Sequence, residues 1–547
     1  MGQSQPRTAG PEDDSAGTSP GSDRPVTSQG SATNPPPTRR RRALVIGAGS
    51  SGLATIQQAL EAGLEPFCCE ARPGVGGAWR FDADPGPYEW HFGEDGEAHV
   101  FTPGESDVKG RPTPSPMYAS LRTNVPTTLM QYRGTPFPRT VGLFSKHNEV
   151  QQYLEDFAEP FLPYIRFDTR VVSVRHTLET DPYDDDADLG TEPRSSSSAL
   201  GHRRWIASFR STLRNDAPLE ECQFDAVFVA NGHYSRPYVP ATEGLQDFPG
   251  ERLHARWYRD AGQFEQKTVL VVGNSASGYD ITRELADSIY TRRQAGVPAE
   301  TLPRIYQSAR SPPALGVPWD APDAPEYSKE VQTFPPIRRI DGRRIEFLDG
   351  RSVNDVHTIM FATGYFFSFP FLSPSSAPFS EYPVTYAPPK PSDPSDSAPQ
   401  PSAKGGLRIH NLDDRMLFYL PDPTLAFLGL PYLVIPFPLA QIQARLAARH
   451  FASSPQLPEP LRFRPNPAMA GSNGEEDGAP EIRGTVTLGH PKQFDLHDRM
   501  LRETGDVRDK EGREELGQAG GIWTLTSEAD RDLRKGAKGL RKAVLGY

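Results

Sequence analysis

Arg42-Ala43-Leu44-Val45-Ile46-Gly47-Ala48-Gly49-Ser50-Ser51-Gly52-Leu53 is the stretch on which the reading of this chain turns. An apolar run, a glycine-rich turn and the opening of a helix follow one another directly. Such a turn grips phosphate. Gly47 permits the tight turn, Gly49 lets a dinucleotide pyrophosphate approach the backbone, and Gly52 lets helix pack closely on strand. The helix N-terminus, with Ser51 in its first turn, faces the negative charge. Each glycine is needed for its missing Cβ. Downstream, Leu53, Ile56 and Leu60 share one helical face, and Gly63 ends the helix. A second apolar strand, Pro66-Phe67-Cys68-Cys69, then ends in Glu70, about where an acid binds ribose hydroxyls. Strand, turn, helix and acid together read as a dinucleotide site, with an ordinary glycine turn as the alternative.

Thr268-Val269-Leu270-Val271-Val272-Gly273-Asn274-Ser275-Ala276-Ser277-Gly278 echoes that pattern and leads into a helix with Ile281, Leu285 and Ile289 on one face. Gly273, Ser275, Ser277 and Gly278 are the candidates for a second phosphate cradle. Ser275 stands where the first turn has Gly49, so the backbone is approached less freely, although its hydroxyl can itself bond phosphate. The next strand, Arg304-Ile305-Tyr306-Gln307-Ser308, ends in Ser308, with Arg310 just beyond. A missing carboxylate plus a cation suits a ribose 2′-phosphate, hence NADP; an ordinary surface arginine is the alternative. Two such sites in one chain imply NADPH feeding a flavin. Glu70 assigns FAD to the first site and leaves NADPH for the second.

The 547 residues leave room for two or three domains. Three cysteines, Cys68, Cys69 and Cys222, offer neither a disulfide framework nor metal-ligand spacing, so we expect no metal and a reducing, cytoplasmic setting. Lys plus Arg number 59 against 70 for Asp plus Glu, and the net charge of −11 argues against a nucleic-acid partner. The basic run Arg39 to Arg42 reads as a solvated junction. The N-terminus lacks an apolar signal core. The longest apolar stretch, Leu425 to Ala440, is broken by Pro431, Pro436 and Pro438, so no membrane span is expected. Residues 1–40 read as a disordered tail, and 181–203, 373–406 and 468–481 as disordered surface insertions.

Several further segments resemble the flavin-containing monooxygenases, a family of class B flavoprotein monooxygenases. Gly74-Val75-Gly76-Gly77-Ala78-Trp79 is similar to the family's glycine-tryptophan turn beside FAD, which adds Gly77 and Trp79 to the cofactor candidates. Tyr118 to Pro126 is similar to its Leu-x-Thr-Asn-x-Pro segment, and Phe248 to Tyr258 fits the fingerprint Phe-x-Gly-x-x-x-His-x-x-x-(Phe/Tyr). Related Baeyer–Villiger enzymes carry tryptophan where Tyr258 stands. Phe224 to His233 and Phe361 to Tyr365, with Thr363 and Gly364, resemble the two crossings between cofactor domains. Asp422 to Leu430, then Ile435-Pro436-Phe437-Pro438 and a helix through Gln441 and Gln443, complete the match, with Gln441 as a further cofactor candidate. Ser275 and His357, where an acid is expected, depart from the pattern.

The resemblance implies an α/β fold of two Rossmann-like dinucleotide-binding domains in three layers. An NADPH domain (246–358) would be inserted in a discontinuous FAD domain (41–245 and 359–547). It implies an enzyme in which NADPH reduces FAD, O₂ adds to give a 4a-hydroperoxide, and a small amine, thiol or thioether takes the distal oxygen. Asn124 is the catalytic candidate, an uncharged donor and acceptor beside the flavin; a turn residue is the alternative. His254 is expected to be structural, and His233 and His147 surface residues. Baeyer–Villiger or NADPH-oxidase activity, a flavin disulfide reductase and a non-catalytic redox protein stay open, as does a homodimer.

Overall fold

The computed structural model describes residues 39–93, 97–103, 113–177, 204–214, 216–313, 316–386, 400–402, 405–452, 456–466, 486–506 and 523–546. The expected tail through residue 38 and the 181–203 and 468–481 insertions lie outside the described residues.

Two five-stranded sheets, each wholly parallel, organise the chain from residue 40 onward. The first runs in the order Leu425–Phe427, Ala226–Val229, Arg42–Ile46, Glu65–Cys69, Ile165–Arg166. The second runs Glu251–His254, Thr358–Phe361, Val269–Val272, Ile305–Ser308, Val331–Phe334. In both, the central strand carries the small-residue turn. Its side chains are buried on both faces, as the unbroken apolar runs Ala43-Leu44-Val45-Ile46 and Val269-Leu270-Val271 require.

The two turns are copies in backbone detail. Gly47 has φ +99° and Gly273 φ +103°. Gly47 N–H donates to Cys69 O at 2.8 Å and Gly273 N–H to Ser308 O at 2.9 Å. Ala230 N–H donates to Ile46 O at 3.0 Å and Ala362 N–H to Val272 O at 2.8 Å. The copy extends to the strand entries. Asp225 Oδ2 accepts from Arg42 N at 2.7 Å, and His357 Nδ1 accepts from Thr268 N at 3.0 Å. His357 therefore does with an imidazole nitrogen what an acid does in the first half, which accounts for that departure from the family pattern.

Helices Ser50–Glu61 and Pro436–Phe451 pack on one another at the first sheet, burying Leu53, Ile56, Ile442 and Leu446. Each such side chain contributes roughly 1.5–3 kcal/mol. Phe67 reaches Phe209 and Phe224 of an antiparallel three-stranded sheet (Thr169–Thr177, Arg204–Ser211, Glu220–Phe224) at centroid distances of 5.7 and 5.8 Å. The second half has its own antiparallel three-stranded sheet, Ile337–Asp341, Arg344–Phe347 and Ser352–Val353.

Three placements differ from the sequence reading. Thr358–Phe361 pairs in register with Val269–Val272, so the return crossing falls after Phe361, not at 358/359. The hairpin Glu89–Phe92 and Ala98–Phe101 packs Ala98, Val100 and Trp90 into the second core, although its residue numbers lie within the expected first domain. Within 373–406, Phe379 and Val384 are buried in the first core, Phe379 against Trp205 and Tyr419, so this part of the expected disordered insertion is folded. The two crossings run side by side, with Arg236–Pro237 paired antiparallel to Tyr365–Phe366. Among the described residues no helix is long and apolar enough to cross a membrane.

Candidate functional site

Both turns open into one cavity of about 1120 Å³. That is larger than the roughly 300–1,000 Å³ of a site for one small ligand. Gly47, Gly49, Ser51, Glu70, Gly77 and Trp79 line it from the first half, and Ser275, Ser277 and Gly364 from the second. Asn124 lines it as well.

The helices behind the turns begin without side-chain caps. Neither Gly49 nor Ser275 makes a capping bond, and neither helix has an acid in its first turn. Their first N–H groups thus point toward the cavity with the partial positive charge of a helix start, which suits phosphate. The glycines supply the clearance. A Cβ on Gly52 would stand 1.8 Å from Gly47 O, and one on Gly278 2.2 Å from Gly273 O. Gly52, Gly273 and Gly278 thus shape the turns from behind, outside the cavity lining. Gly49 and Ser275 have the same backbone, φ −75° in both, so the serine fits without strain. Glu70 is 6% exposed and accepts from Ala48 N at 2.7 Å and Arg72 N at 2.9 Å. Burial pushes its carboxyl up, and the two N–H bonds oppose that push. Two cradles, a ribose-side carboxylate and one shared space fit two adenine dinucleotides whose reactive ends meet.

A family model described as FMO-like, flavin-binding monooxygenase-like, matches residues 40–184 and 207–294. Over those residues the chain is similar to this family. It is a flavin-dependent monooxygenase. It is similar to flavin-containing monooxygenase FMO GS-OX-like 2 of Arabidopsis thaliana, 26% identical over 500 residues, covering 88% of this chain and 89% of that protein. GS-OX-like 9 of the same plant is 29% identical over 438 residues, covering 77% and 78%. A thiol-specific monooxygenase of Saccharomyces cerevisiae is 28% identical over 356 residues, covering 64% and 68%. The fold is shared with S-allyl-L-cysteine S-oxygenase from Allium sativum, with a TM-score of 0.61 at 23% identity over 92% of this chain and 94% of that one.

In this monooxygenase the segment bearing Asn124 is tied to both halves. Tyr118 Oη donates to Asp280 Oδ2 at 2.9 Å, on the second helix, and Tyr132 Oη donates to Ser50 O at 2.5 Å, on the first. Thr123 is locked on Ser145 by two hydrogen bonds, of 2.9 and 3.1 Å. Asn124 is thereby held where the two halves face each other.

His254 is fully buried with both ring nitrogens engaged. Nδ1 accepts from Arg256 N at 3.2 Å, so Nε2 carries the proton and donates to Gly364 O at 3.1 Å. Burial, aided by the Arg256 charge, lowers its pKa to about 3. It is therefore neutral at physiological pH and links the second sheet to the return crossing.

Other candidates are spoken for. Ser308 Oγ donates to Pro335 O at 2.9 Å, and Thr363 Oγ1 to Tyr238 O. Arg310 is exposed just past the Ile305–Ser308 strand. Gln441 is a correction: it is buried between helices, its Oε1 accepting from Arg133 N at 2.8 Å and its Nε2 donating to Gln57 Oε1 at 2.9 Å, and it does not line the cavity. His233, expected on the surface, is 6% exposed, packed on Phe367 and Tyr432, and lines the cavity. Sequence reasoning passed over Arg259, whose guanidinium donates to the carbonyls of Asp82, Arg256, Tyr258 and Ser115 and so pins the fingerprint segment to the cavity wall. It also passed over Leu433 and Arg534, both lining the cavity. The signal for the arginine was its spacing, three residues after Arg531 and seven before Arg541 on a helical stretch.

Proposed function

We propose that the enzyme uses NADPH and O₂ to oxygenate a soft nucleophilic nitrogen or sulfur atom of a small molecule. The observation that carries this reading is the single cavity walled by two uncapped helix starts with Asn124 between them. FAD bound there supplies the oxygen-activating chemistry once reduced. The chain's own residues bind, orient and shield. We assign FAD to the first turn, with Gly47, Gly49, Ser51 and Glu70, and NADPH to the second, with Ser275, Ser277 and Arg310. The NADPH domain then spans about 246–361, and the hairpin of residues 89–101 packs with it. Asn124 offers a donor and an acceptor without charge, so it orients a bound oxygen species or amide without adding a proton. His254, neutral, adds none either. Trp79, Tyr432 and Leu433 give the cavity apolar walls that limit water, which would otherwise divert the reaction to hydrogen peroxide. The buried, free thiols Cys68 and Cys69 fit a cytoplasmic setting.

Purified protein should be yellow, and its NADPH oxidation should accelerate on adding a thioether or amine, with an N- or S-oxide formed per NADPH consumed. Colourless protein, or oxidation that no such compound accelerates, would overturn the proposal.

A further inference from the structure

The helix Glu528–Leu545 presents Arg531, Arg534 and Arg541 along one stripe, at spacings of three and seven residues. The outer two have acids. Arg531 reaches Asp495 at 3.0 Å and Asp498 at 2.6 Å, and Arg541 reaches Asp280 at 3.4 Å. Arg534, between them, has no carboxylate among the described residues. Its Nη2 donates weakly to Leu433 O at 3.4 Å, and its buried Nε has no hydrogen-bond partner among the described residues. Burial alone lowers its pKa, with no opposing charge.

Arg534 lines the same cavity as both turns. Of the acids lining the cavity, Glu70 is committed to the Ala48 and Arg72 N–H groups and Asp280 to Tyr118 and Arg541, while Glu89 stands 3.7 Å from His91. Beside it stands Leu433, a non-glycine residue at φ +56° whose side chain is 46% exposed within the cavity lining. That conformation costs a non-glycine residue about 1 kcal/mol or more, and such strain collects at functional sites. The wall therefore offers an apolar surface next to an unmatched, partly desolvated cation. A guanidinium so placed gains most from an anion, through charge-assisted and bidentate bonds.

We propose that Arg534 receives an anionic group, a carboxylate first of all, on the thioether, thiol or amine that the enzyme oxygenates. The proposal rests on the monooxygenase reading above. The substrate is then amphipathic, its apolar part along Leu433 and its anion on Arg534. The same guanidinium chemistry would suit a cofactor phosphate, so the test must separate the two.

A thioether carboxylic acid and its uncharged primary amide, equal in sulfur and length, make the pair of probes. Wild-type enzyme should favour the acid in kcat/KM by about 10- to 100-fold, mostly through KM. Arg534→Gln should bring the ratio to about threefold or less, and Arg534→Lys should restore part of it. Flavin absorbance and the KM for NADPH should stay near wild type in both variants. Titration calorimetry of the two probes into flavin-loaded protein should show the same preference without turnover. Equal use of acid and amide by the wild type, or a preference that survives Arg534→Gln, overturns the proposal. So does loss of flavin or a raised KM for NADPH in Arg534→Gln, which would assign the cation to a cofactor phosphate. If the acid binds preferentially but neither probe accelerates NADPH oxidation, the anion site stands and the oxygenase reading fails.

Discussion

Gly49 and Gly77 meet back to back: a Cβ on Gly77 would stand 2.9 Å from the Gly49 Cα, and one on Gly49 would stand 3.4 Å from the Gly77 Cα. The first cradle is thus closed by the glycine-tryptophan turn, and among the described residues no glycine meets the Gly273–Gly278 turn in the same way. It is Gly77 that cannot carry a Cβ; one on Gly49 would meet only ordinary van der Waals contact, so its absence there serves the approach of phosphate. Gly77 also has φ +56°, so Gly77→Ala adds backbone strain to the clash and should cost about 2 kcal/mol or more. The expected result is purified protein with most of its flavin lost, read as the ratio of absorbance at the flavin band to that of protein.

The two cradles should fail separately. Gly52→Ala drives a methyl into Gly47 O and should abolish flavin retention. Gly278→Ala does the same to Gly273 O and should leave the protein yellow while raising the KM for NADPH by about tenfold or more. A Gly278→Ala enzyme that lost flavin but kept its NADPH affinity would reverse the cofactor assignment.

Asn124→Ala removes an uncharged donor and acceptor while leaving the Thr123–Ser145 bonds that hold the segment. Flavin content should be retained, and oxygenated product per NADPH should fall by on the order of 100-fold as hydrogen peroxide rises. Peroxide and product assays on the same reaction check this. Unchanged coupling would make Asn124 a turn residue only.

Arg310 is exposed beyond the strand end, where it can meet a 2′-phosphate from solvent. Arg310→Ala should raise the KM for NADPH about 10- to 100-fold and barely change that for NADH. Equal shifts for both coenzymes would dismiss it.

Glu284 accepts a hydrogen bond from Tyr258 Oη inside the second half, and burial raises its carboxyl from the ordinary 4.5 to about 7. A carboxyl with a raised pKa binds its proton more tightly folded than unfolded. Its stabilising share is therefore complete below pH about 4.5 and is lost as pH climbs through about 7. The size is up to about 3 kcal/mol. Glu284→Gln keeps an acceptor for Tyr258 and should flatten the decline in thermal stability expected of the wild type between about pH 5 and 7.5. Parallel melting curves for the two proteins across that range would refute the assignment.

The sequence by itself determined what depends on neighbours a few residues away. Gly47 and Gly52 lie five positions apart, and the clash that demands a glycine is between those same two residues, so the turn is legible in one short string; Gly273 and Gly278 repeat the argument. The parallel strands beside each turn were legible for a similar reason, since runs such as Val45-Ile46 and Leu270-Val271 must be buried on both faces. Only the tertiary structure decided where longer side chains spend their polar atoms. Gln441 meets Gln57 across 384 residues of chain, Arg541 meets Asp280 across 261, and neither pairing leaves a trace in local spacing. The same holds for Phe379, whose proline- and serine-rich surroundings conceal an aromatic anchor on Trp205, and for Arg534, whose lack of an acid among the described residues is a fact about what surrounds it in space. Backbone vacancy is a local property, whereas charge balance is a property of the packed whole.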